Sequence, residues 1–325
     1  MTDTTTIVSC MRNEGIFVLE WLAYHLEIGI DRAVIATNNC TDGSDDLLDY
    51  LQTMGHVTHI RHTPAPGQAP QDSGMRAIMA QVGPQDTTWM LFIDADEFLN
   101  IRIGKGHIAD LLQQAGPCDV IALAWRFFGN ASLTDWPGGD VLTAFTKAET
   151  APDPEIVNFK SMFRRAHFNH SHDHMPQEPL IEKPIVVSAA GQRLHAFVLH
   201  SPHKFRRYAP PHKSIRVDVA AINHYAVKSD DLFLMRNDRG DGQGNVSRRY
   251  HLNWKWHRLA NLNEVEETSI LRHATGVAAR LAQWRQDPEL AKREKYCQDW
   301  FHAARARILT PQTRADWTFT QGNPT

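Results

Sequence analysis

The sequence is short of cysteine and has no cysteine pattern. Cys10, Cys40, Cys118 and Cys297 stand far apart with no Cys-x-x-Cys pair, which argues against a zinc knuckle and a disulfide framework and fits a reducing compartment. Long apolar runs are also missing. Stretches such as 89–93 fall far short of the roughly 20 residues that a membrane span needs. Residues 1–6 carry no basic segment, so the chain is expected to be cytoplasmic, with at most a peripheral contact at the inner face of a membrane. Basic residues are not in excess: 34 Lys and Arg face 37 Asp and Glu, a net charge of −3. Nucleic acid is therefore not an expected partner. With 42% hydrophobic and 22% charged residues over 325 positions, the chain is neither disordered nor fibrous, and its partner is expected to be a small molecule or a glycan.

What is present reads as alternating strands and helices. Residues 7–10 are short and apolar. After Arg12, Asn13 and Glu14, the apolar Ile16, Leu19, Ala23 and Leu26 recur at helical spacing. Gly29 closes that helix, 33–36 forms a second strand, and the turn and cap residues of 41–44 open a helix carrying Leu47, Leu48, Leu51 and Met54. A strand over 57–61, a helix over 73–82 and a strand over 89–93 follow. This alternation predicts an α/β fold with a doubly wound sheet, whose ligand crevice lies beyond the carboxyl ends of its strands. From Val120 the pattern shifts to shorter strands, expected over 120–125, 141–145 and 159–164, and after Ser229 it becomes mostly helical. The expected division is a catalytic domain over 1–242 and a helical C-terminal extension over 243–325. Trp254, Trp256, Trp284, Trp300 and Trp317 lie among basic residues in that extension. They either pack as a helical cover or touch an anionic membrane, and the helical period of the apolar positions favours packing.

Asp94, Ala95, Asp96 and Glu97 end the fourth strand. Three carboxylates in four positions repel one another unless a cation is near. In an extended backbone Asp94 and Asp96 point the same way and reach one hard divalent ion, Mn²⁺ or Mg²⁺, which keeps positions open for phosphate oxygens. The plainer reading of a lone D-x-D is a solvated acidic turn. Its place at the end of a strand in a β/α series favours the metal.

The stretches Arg12-Asn13-Glu14, Leu19-Glu20-Trp21-Leu22-Ala23-Tyr24-His25-Leu26 and Asn38-Asn39-Cys40-Thr41-Asp42-Gly43-Ser44 together resemble the opening of glycosyltransferase family 2-like and family 92-like proteins. Asp94-Ala95-Asp96-Glu97-Phe98 resembles their metal motif, and Asn223-His224-Tyr225 with Lys228, Ser229, Phe233, Arg236, Arg239 and Gly240 resembles their closing motif. The resemblance is close over about 6–103 and returns at 222–242. It implies a GT-A fold, a nucleoside-diphosphate sugar donor (expected to be a UDP-sugar), a divalent metal, inversion at the anomeric carbon, and a glycan, lipid-linked or protein acceptor. Similar sequences carry Asp just ahead of the Asn-Asn-x-Thr-Asp-Gly-Ser loop, addressing the nucleoside, where this chain has Thr37. Thr37 and Asn38 are expected on the nucleotide side; Thr37 also favours the rival reading, a non-catalytic glycan- or nucleotide-binding module of the same fold, whereas Asp94, Asp96, His224 and the basic lid favour the enzyme. Arg12 is expected at the nucleotide or pyrophosphate, or else facing solvent; Glu14 is a ligand or a helix-end charge. Thr41 and Asp42 are expected as cap and turn residues. His224 is either a third metal ligand or structural, and Lys228, Arg236 and Arg239 either close a cationic lid over the diphosphate or form a solvated helix face.

The 18 histidines include His170, His172 and His174 around Asp173. On a strand, that alternation would put three imidazoles on one side, a pattern that suits zinc and a hydrolase; the alternative is a place on the acceptor side of the pocket. An inverting transfer needs a carboxylate to take the acceptor's proton. Asp173 is the first candidate and Glu178 the second, and a structural salt bridge is the ordinary role for either. The loop Trp136-Pro137-Gly138-Gly139 is expected to pack as a turn or on a sugar ring.

Overall fold

The apolar runs of the first hundred residues become strands and the amphipathic stretches helices. The computed structural model describes residues 3–240 and 248–320, apart from the side chain of Arg239. The chain runs β1 (Thr5–Met11), α1 (Val18–Glu27), β2 (Arg32–Thr37), α2 (Ser44–Thr53), β3 (Thr58–Arg61), α3 (Pro70–Gln81) and β4 (Trp89–Phe92). Strands β1, β2, β3 and β4 pair in parallel, and they are nearly continuous in apolar residues because helices cover both faces. Next come β5 (Glu97–Ile101), α4 (Ile108–Ala115), β6 (Val120–Phe127), α5 (Val141–Ala144), β7 (Lys147–Ala148), β8 (Phe159–Arg164), β9 (Phe168–Ser171), β10 (Pro176–Pro179), β11 (Val186–Ser188), α6 (Pro211–Ser214) and β12 (Ala220–His224). The described chain closes with α7 (Asp230–Arg239), α8 (Lys255–Ala260), β13 (Val265–Glu266), α9 (Ala274–Trp284), α10 (Pro288–Ile308) and α11 (Pro311–Asp316).

The central sheet has the order β3-β2-β1-β4-β8-β6-β12-β5, with β11 also on β6. Strand β8 is antiparallel to β4 and β6, and β5 is antiparallel to β12, so the sheet is mixed and curls. Strand β6 pairs with β8 through residues 120–124 and with β12 through 125–127. That hand-over sets β12 and β5 across the carboxyl ends of the parallel strands. The chain therefore passes from β4 into β5 through one tight turn, in which the Glu97 N–H donates to the Asp94 carbonyl at 3.1 Å.

Two local expectations are corrected. Residues 141–145, read as a strand from Val, Leu and Phe, begin the short helix α5. The carboxylate of Glu20 on α1 accepts the N–H groups of Val141 at 2.6 Å and Leu142 at 2.9 Å, and a tertiary cap overrides strand propensity. The carboxylate motif is a turn rather than an extended segment, so Asp94 and Asp96 do not share a face by strand alternation.

The C-terminal helices share the main core. Val277, Leu281, Trp284, Leu290, Cys297 and Phe301 are buried with Ile7, Trp21, Leu22 and Leu47 in one cluster. Helix α10 starts with Asp287 accepting the N–H groups of Glu289 and Leu290, a side-chain N-cap followed by Pro at the first helical position. The same carboxylate accepts the Tyr50 hydroxyl of α2 at 3.0 Å, and Arg305 reaches Asp231 of α7 at 2.7 Å. Trp256 and Trp300 pack against that core as well. No helix among the described residues is long and apolar enough to cross a membrane.

Candidate active site

At the carboxyl ends of β1, β2 and β4 the sequence changes from apolar to polar, and the loops there interlock. Asn13 and Asn39 adopt left-handed backbone, with φ of 54° and 48°, which short polar side chains tolerate. The Asn13 side chain donates to Thr41 Oγ1 at 3.1 Å and accepts the Thr41 N–H at 2.8 Å. Asp42 accepts the N–H groups of Gly15 and Ser44, each at 2.9 Å, and Gly43 takes the left-handed φ of 82° that precedes α2. Thr41 and Asp42 thus serve as turn and cap residues.

The aromatic run of α1 braces the carboxylate turn. Trp21 Nε1 donates to the carbonyls of Asp94 at 3.1 Å and Glu97 at 3.0 Å, and the Tyr24 hydroxyl donates to the Leu99 carbonyl at 2.8 Å. His25 Nδ1 donates to the Trp21 carbonyl at 2.8 Å, while its Nε2 accepts the Leu99 N–H at 3.3 Å. Burial lowers the His25 pKa to about 3, consistent with the neutral ring that this pair of roles requires. The motif residues on α1 act as a clamp beneath the site rather than as ligands.

Two cations serve the three carboxylates of the turn. Asp94 Oδ2 lies 3.1 Å from Lys160 Nζ of β8, and its Oδ1 accepts Gln71 Nε2 at 3.0 Å. Lys160 has no solvent exposure and also lies 3.1 Å from the equally buried Glu97. Burial alone would lower the lysine's pKa, but Asp94 and Glu97 raise it, so it stays charged. Burial pushes Glu97 well above the usual carboxylate range and raises Asp94 as well, against the pull of Lys160 on both. Asp96, 4% exposed, is held 2.5 Å from Arg236 of α7. Against the burial penalty, Arg236 and then His224 keep Asp96 well below the usual range.

His224 stands beside Asp96 because the β12–β5 register places it opposite Glu97. Its Nε2 is 3.7 Å from Asp96 Oδ2, and its Nδ1 is buried without a hydrogen-bond partner among the described residues. Trp125 and Phe127 flank the imidazole at ring-centroid distances of 4.2 and 5.4 Å. Burial lowers its pKa below the ordinary value, favouring the neutral form that ligates metals.

These groups line one cavity of about 190 Å³, with Arg12, Glu14, Asn38, Asp94, Asp96, Asp173, His224 and Arg236 in its wall. Asn38 Nδ2 is buried there without a hydrogen-bond partner among the described residues. Lys228 is placed elsewhere, 4.5 Å over the Phe17 ring, lining a smaller adjoining cavity that shares Glu14 and Arg236. The Arg239 side chain lies outside the described residues. Thr37 does not line the main cavity; its hydroxyl turns to His59 Nε2 of β3 at 2.8 Å, a partner supplied by the parallel pairing of β2 and β3.

The histidine segment does not form three aligned imidazoles, because β9 stops at Ser171. His174 Nδ1 donates to the Phe159 carbonyl at 2.8 Å, and His172 Nδ1 accepts the His174 N–H at 3.1 Å. Asp173 lies between the two rings and lines the cavity. Despite burial, His172, His174 and Lys160 hold it below the usual carboxylate range. Glu178 is exposed on the β9–β10 hairpin, where it accepts Asn169 Nδ2 at 2.7 Å. Trp136 is buried against Phe17 and Phe301, so that loop packs as a turn. Sequence reasoning missed Lys160, which lies in a strand of mixed character, FKSMFR over Phe159–Arg164, where nothing in the pattern marks it as buried.

No set of three or more His, Cys, Asp or Glu groups among the described residues converges enough to hold a metal by itself. The pair Asp96 and His224 still fits a divalent ion, since it offers one carboxylate and one neutral imidazole on the same side. Mg²⁺ and similar ions commonly take few protein ligands and complete their shell with phosphate oxygens and water. Asp94 is engaged by Lys160 and Gln71 and Asp96 by Arg236, so either would share its carboxylate between a cation of the protein and the ion.

Comparison with known proteins places these features in a family. A glycosyltransferase family 92 protein of Oryza sativa subsp. japonica is 29% identical over 150 residues, covering 45% of this chain and 25% of the relative. One from Arabidopsis thaliana is 21% identical over 239 residues, covering 70% of this chain and 36% of the relative. The matched part thus spans only about a quarter to a third of these relatives. Among solved structures, S. aureus TarS 1-349 aligns over 97% of this chain and 83% of its own, with 11% identity and a TM-score of 0.38, a likeness too loose to carry an argument. The model of the family described as Glycosyltransferase family 92 matches residues 6–273, and with a match over most of its length this chain belongs to that family.

Proposed function

We propose that the protein transfers a sugar, with inversion, from a nucleoside-diphosphate donor, a UDP-sugar in the first instance, to a hydroxyl of a glycan, lipid-linked or protein acceptor. The observation that carries this reading is the single cavity at the strand ends, where Asp96, His224 and Arg236 meet Arg12 and the unpartnered Asn38 amide. Arg12 and Asn38 offer donors to the nucleotide. Arg236 is placed to bind phosphate oxygens by charge-assisted hydrogen bonds. Asp96 and His224 would hold Mn²⁺ or Mg²⁺, which when bound stabilises the negative charge that builds on the diphosphate.

As the C1–O bond of the donor breaks, its electron pair passes to the diphosphate. The acceptor oxygen bonds C1 from the opposite face and gives up its proton. Asp173 is the proton acceptor in this reading: of the two candidates it is the one that lines the cavity. Glu178 is withdrawn from that role. The test is calorimetry of UDP with and without Mn²⁺, followed by a screen of UDP-, GDP- and dTDP-sugars for hydrolysis. Metal-dependent UDP binding and turnover of one donor are expected; failure of every nucleotide to bind would refute the reading.

A further inference from the structure

The stretch 184–217 contains no Asp or Glu but has six cations, Arg193, Lys204, Arg206, Arg207, Lys213 and Arg216, in a chain of net charge −3. Two of them are paired: Lys204 with Asp72 and Arg216 with Asp218, each at 2.6 Å. Arg193, Arg206, Arg207 and Lys213 are exposed and form no ion pair among the described residues.

The same stretch displays apolar side chains. Phe197 is 60% and Phe205 36% exposed, with ring centroids 6.0 Å apart. The turn that carries Phe197 (Phe197–His200) packs on β10, and just past β10 Leu180 is 65% exposed. These are three of the five large apolar residues exposed among the described residues. The backbone beneath them is fixed rather than loose. The His195 N–H donates to the Ala209 carbonyl at 3.0 Å, the Phe159 N–H of β8 to the Arg206 carbonyl at 2.9 Å, and Val198, Leu199 and Tyr208 are buried in the core.

Leu and Phe side chains held in water on a fixed backbone, the two Phe in a segment with four exposed unpaired cations and Leu180 between exposed Glu178 and Glu182, match an interfacial membrane site. The apolar groups enter the headgroup boundary and the cations meet anionic lipid. A glycan surface would instead be expected to offer Trp or Tyr with polar handles. We propose that this face docks the protein on an anionic lipid surface. Arg206 also lines the main cavity, so docking would bring the cavity to the interface. That acceptors are presented there rests on the transferase reading; the docking itself does not.

The test is flotation of the full chain with vesicles of phosphatidylcholine alone or with added phosphatidylglycerol. Binding is expected only to the anionic vesicles and should fall with added salt. Leu180→Ser/Phe197→Ser/Phe205→Ser and Arg207→Glu/Lys213→Glu should each weaken it about tenfold or more, with melting temperature and UDP binding unchanged; Arg206 is left intact. Absence of binding to anionic vesicles, or equal binding by both variants, would overturn the proposal. So would binding to dextran sulfate that the charge variant loses and the apolar variant keeps, if vesicle binding follows the same pattern. Loss of UDP binding in the parent protein with vesicle binding retained would count against the transferase reading alone.

Discussion

Asp94 and Asp96 sit two residues apart in one turn, and the protein serves them in opposite ways. On the Asp94 side the cation is buried: Lys160 has no exposure, while the Asp94 side chain keeps 32%. On the Asp96 side the carboxylate is buried at 4% and the cation, Arg236, reaches in from α7 with 16% exposure. Lys160 comes from the centre of the sheet and also answers the fully buried Glu97. It belongs to the framework. Arg236 belongs to the cavity wall, where it is held by Asp96 and the Ala226 carbonyl. Two identical side chains in a D-x-D motif therefore do different work, and the motif's spacing does not say which.

The largest effect that would break this comparison comes from Lys160→Met. Removing the ammonium leaves Asp94 without its counter-charge and takes from buried Glu97 its hydrogen-bonding partner, and a loss of about 3–5 kcal/mol of stability is expected by urea unfolding. If the variant unfolds at the parent midpoint, Lys160 is not a framework charge. Asp96→Asn should leave stability closer to the parent yet remove the Mn²⁺-dependent part of UDP binding. It removes the charge that both Arg236 and the ion address, at a cost of about 2–3 kcal/mol in binding free energy. Calorimetry showing the same metal response in the variant would overturn the assignment of Asp96.

Glu149 sharpens the contrast from another direction, as a buried carboxylate with no ion pair among the described residues. It accepts only the Phe127 N–H, at 2.7 Å, and burial raises its pKa to about 7 from an ordinary 4.5. The folded state therefore binds more protons than the unfolded chain between about pH 4.5 and 7. This group's contribution is fully present below pH 4.5 and is lost as pH rises through 7, on the order of 3 kcal/mol. Glu149→Gln should flatten that part of the stability profile; an unchanged slope would show that Glu149 is not its source. The smallest expected effect is Glu97→Gln, about 1 kcal/mol of stability, because burial already favours its protonated form. A loss as large as that of Lys160→Met would mean that Glu97 is ionised.

The parallel half of the sheet was readable in the sequence because each strand is a short apolar run followed at once by polar turn residues. The mixed half was less so. Residues 141–145 have strand-forming side chains, but the Glu20 carboxylate, far away in sequence, supplies the cap that makes them a helix. Strand β5 was missed because its five residues follow the carboxylate turn directly and mix polar Glu97 and Asn100 into the core.

The sequence by itself determined the alternating architecture, the site at the strand ends, the motif resemblance and the residue types that meet there. Those properties depend on local pattern and on which side chains are present. Only the tertiary structure decided that Lys160 engages Asp94 and that His224 stands next to Asp96. It also decided that Thr37 turns away to His59 and that Glu178 stays outside the cavity. Each of these outcomes depends on register and curl, such as His224 lying opposite Glu97, which bring together residues from 22 to more than a hundred positions apart. The same reason separates the two aromatic, basic segments: Trp284 of α9 is buried, while Phe197 and Phe205 stand in solvent. Composition counts the aromatic and basic residues in a segment, and only packing decides which of them remain exposed.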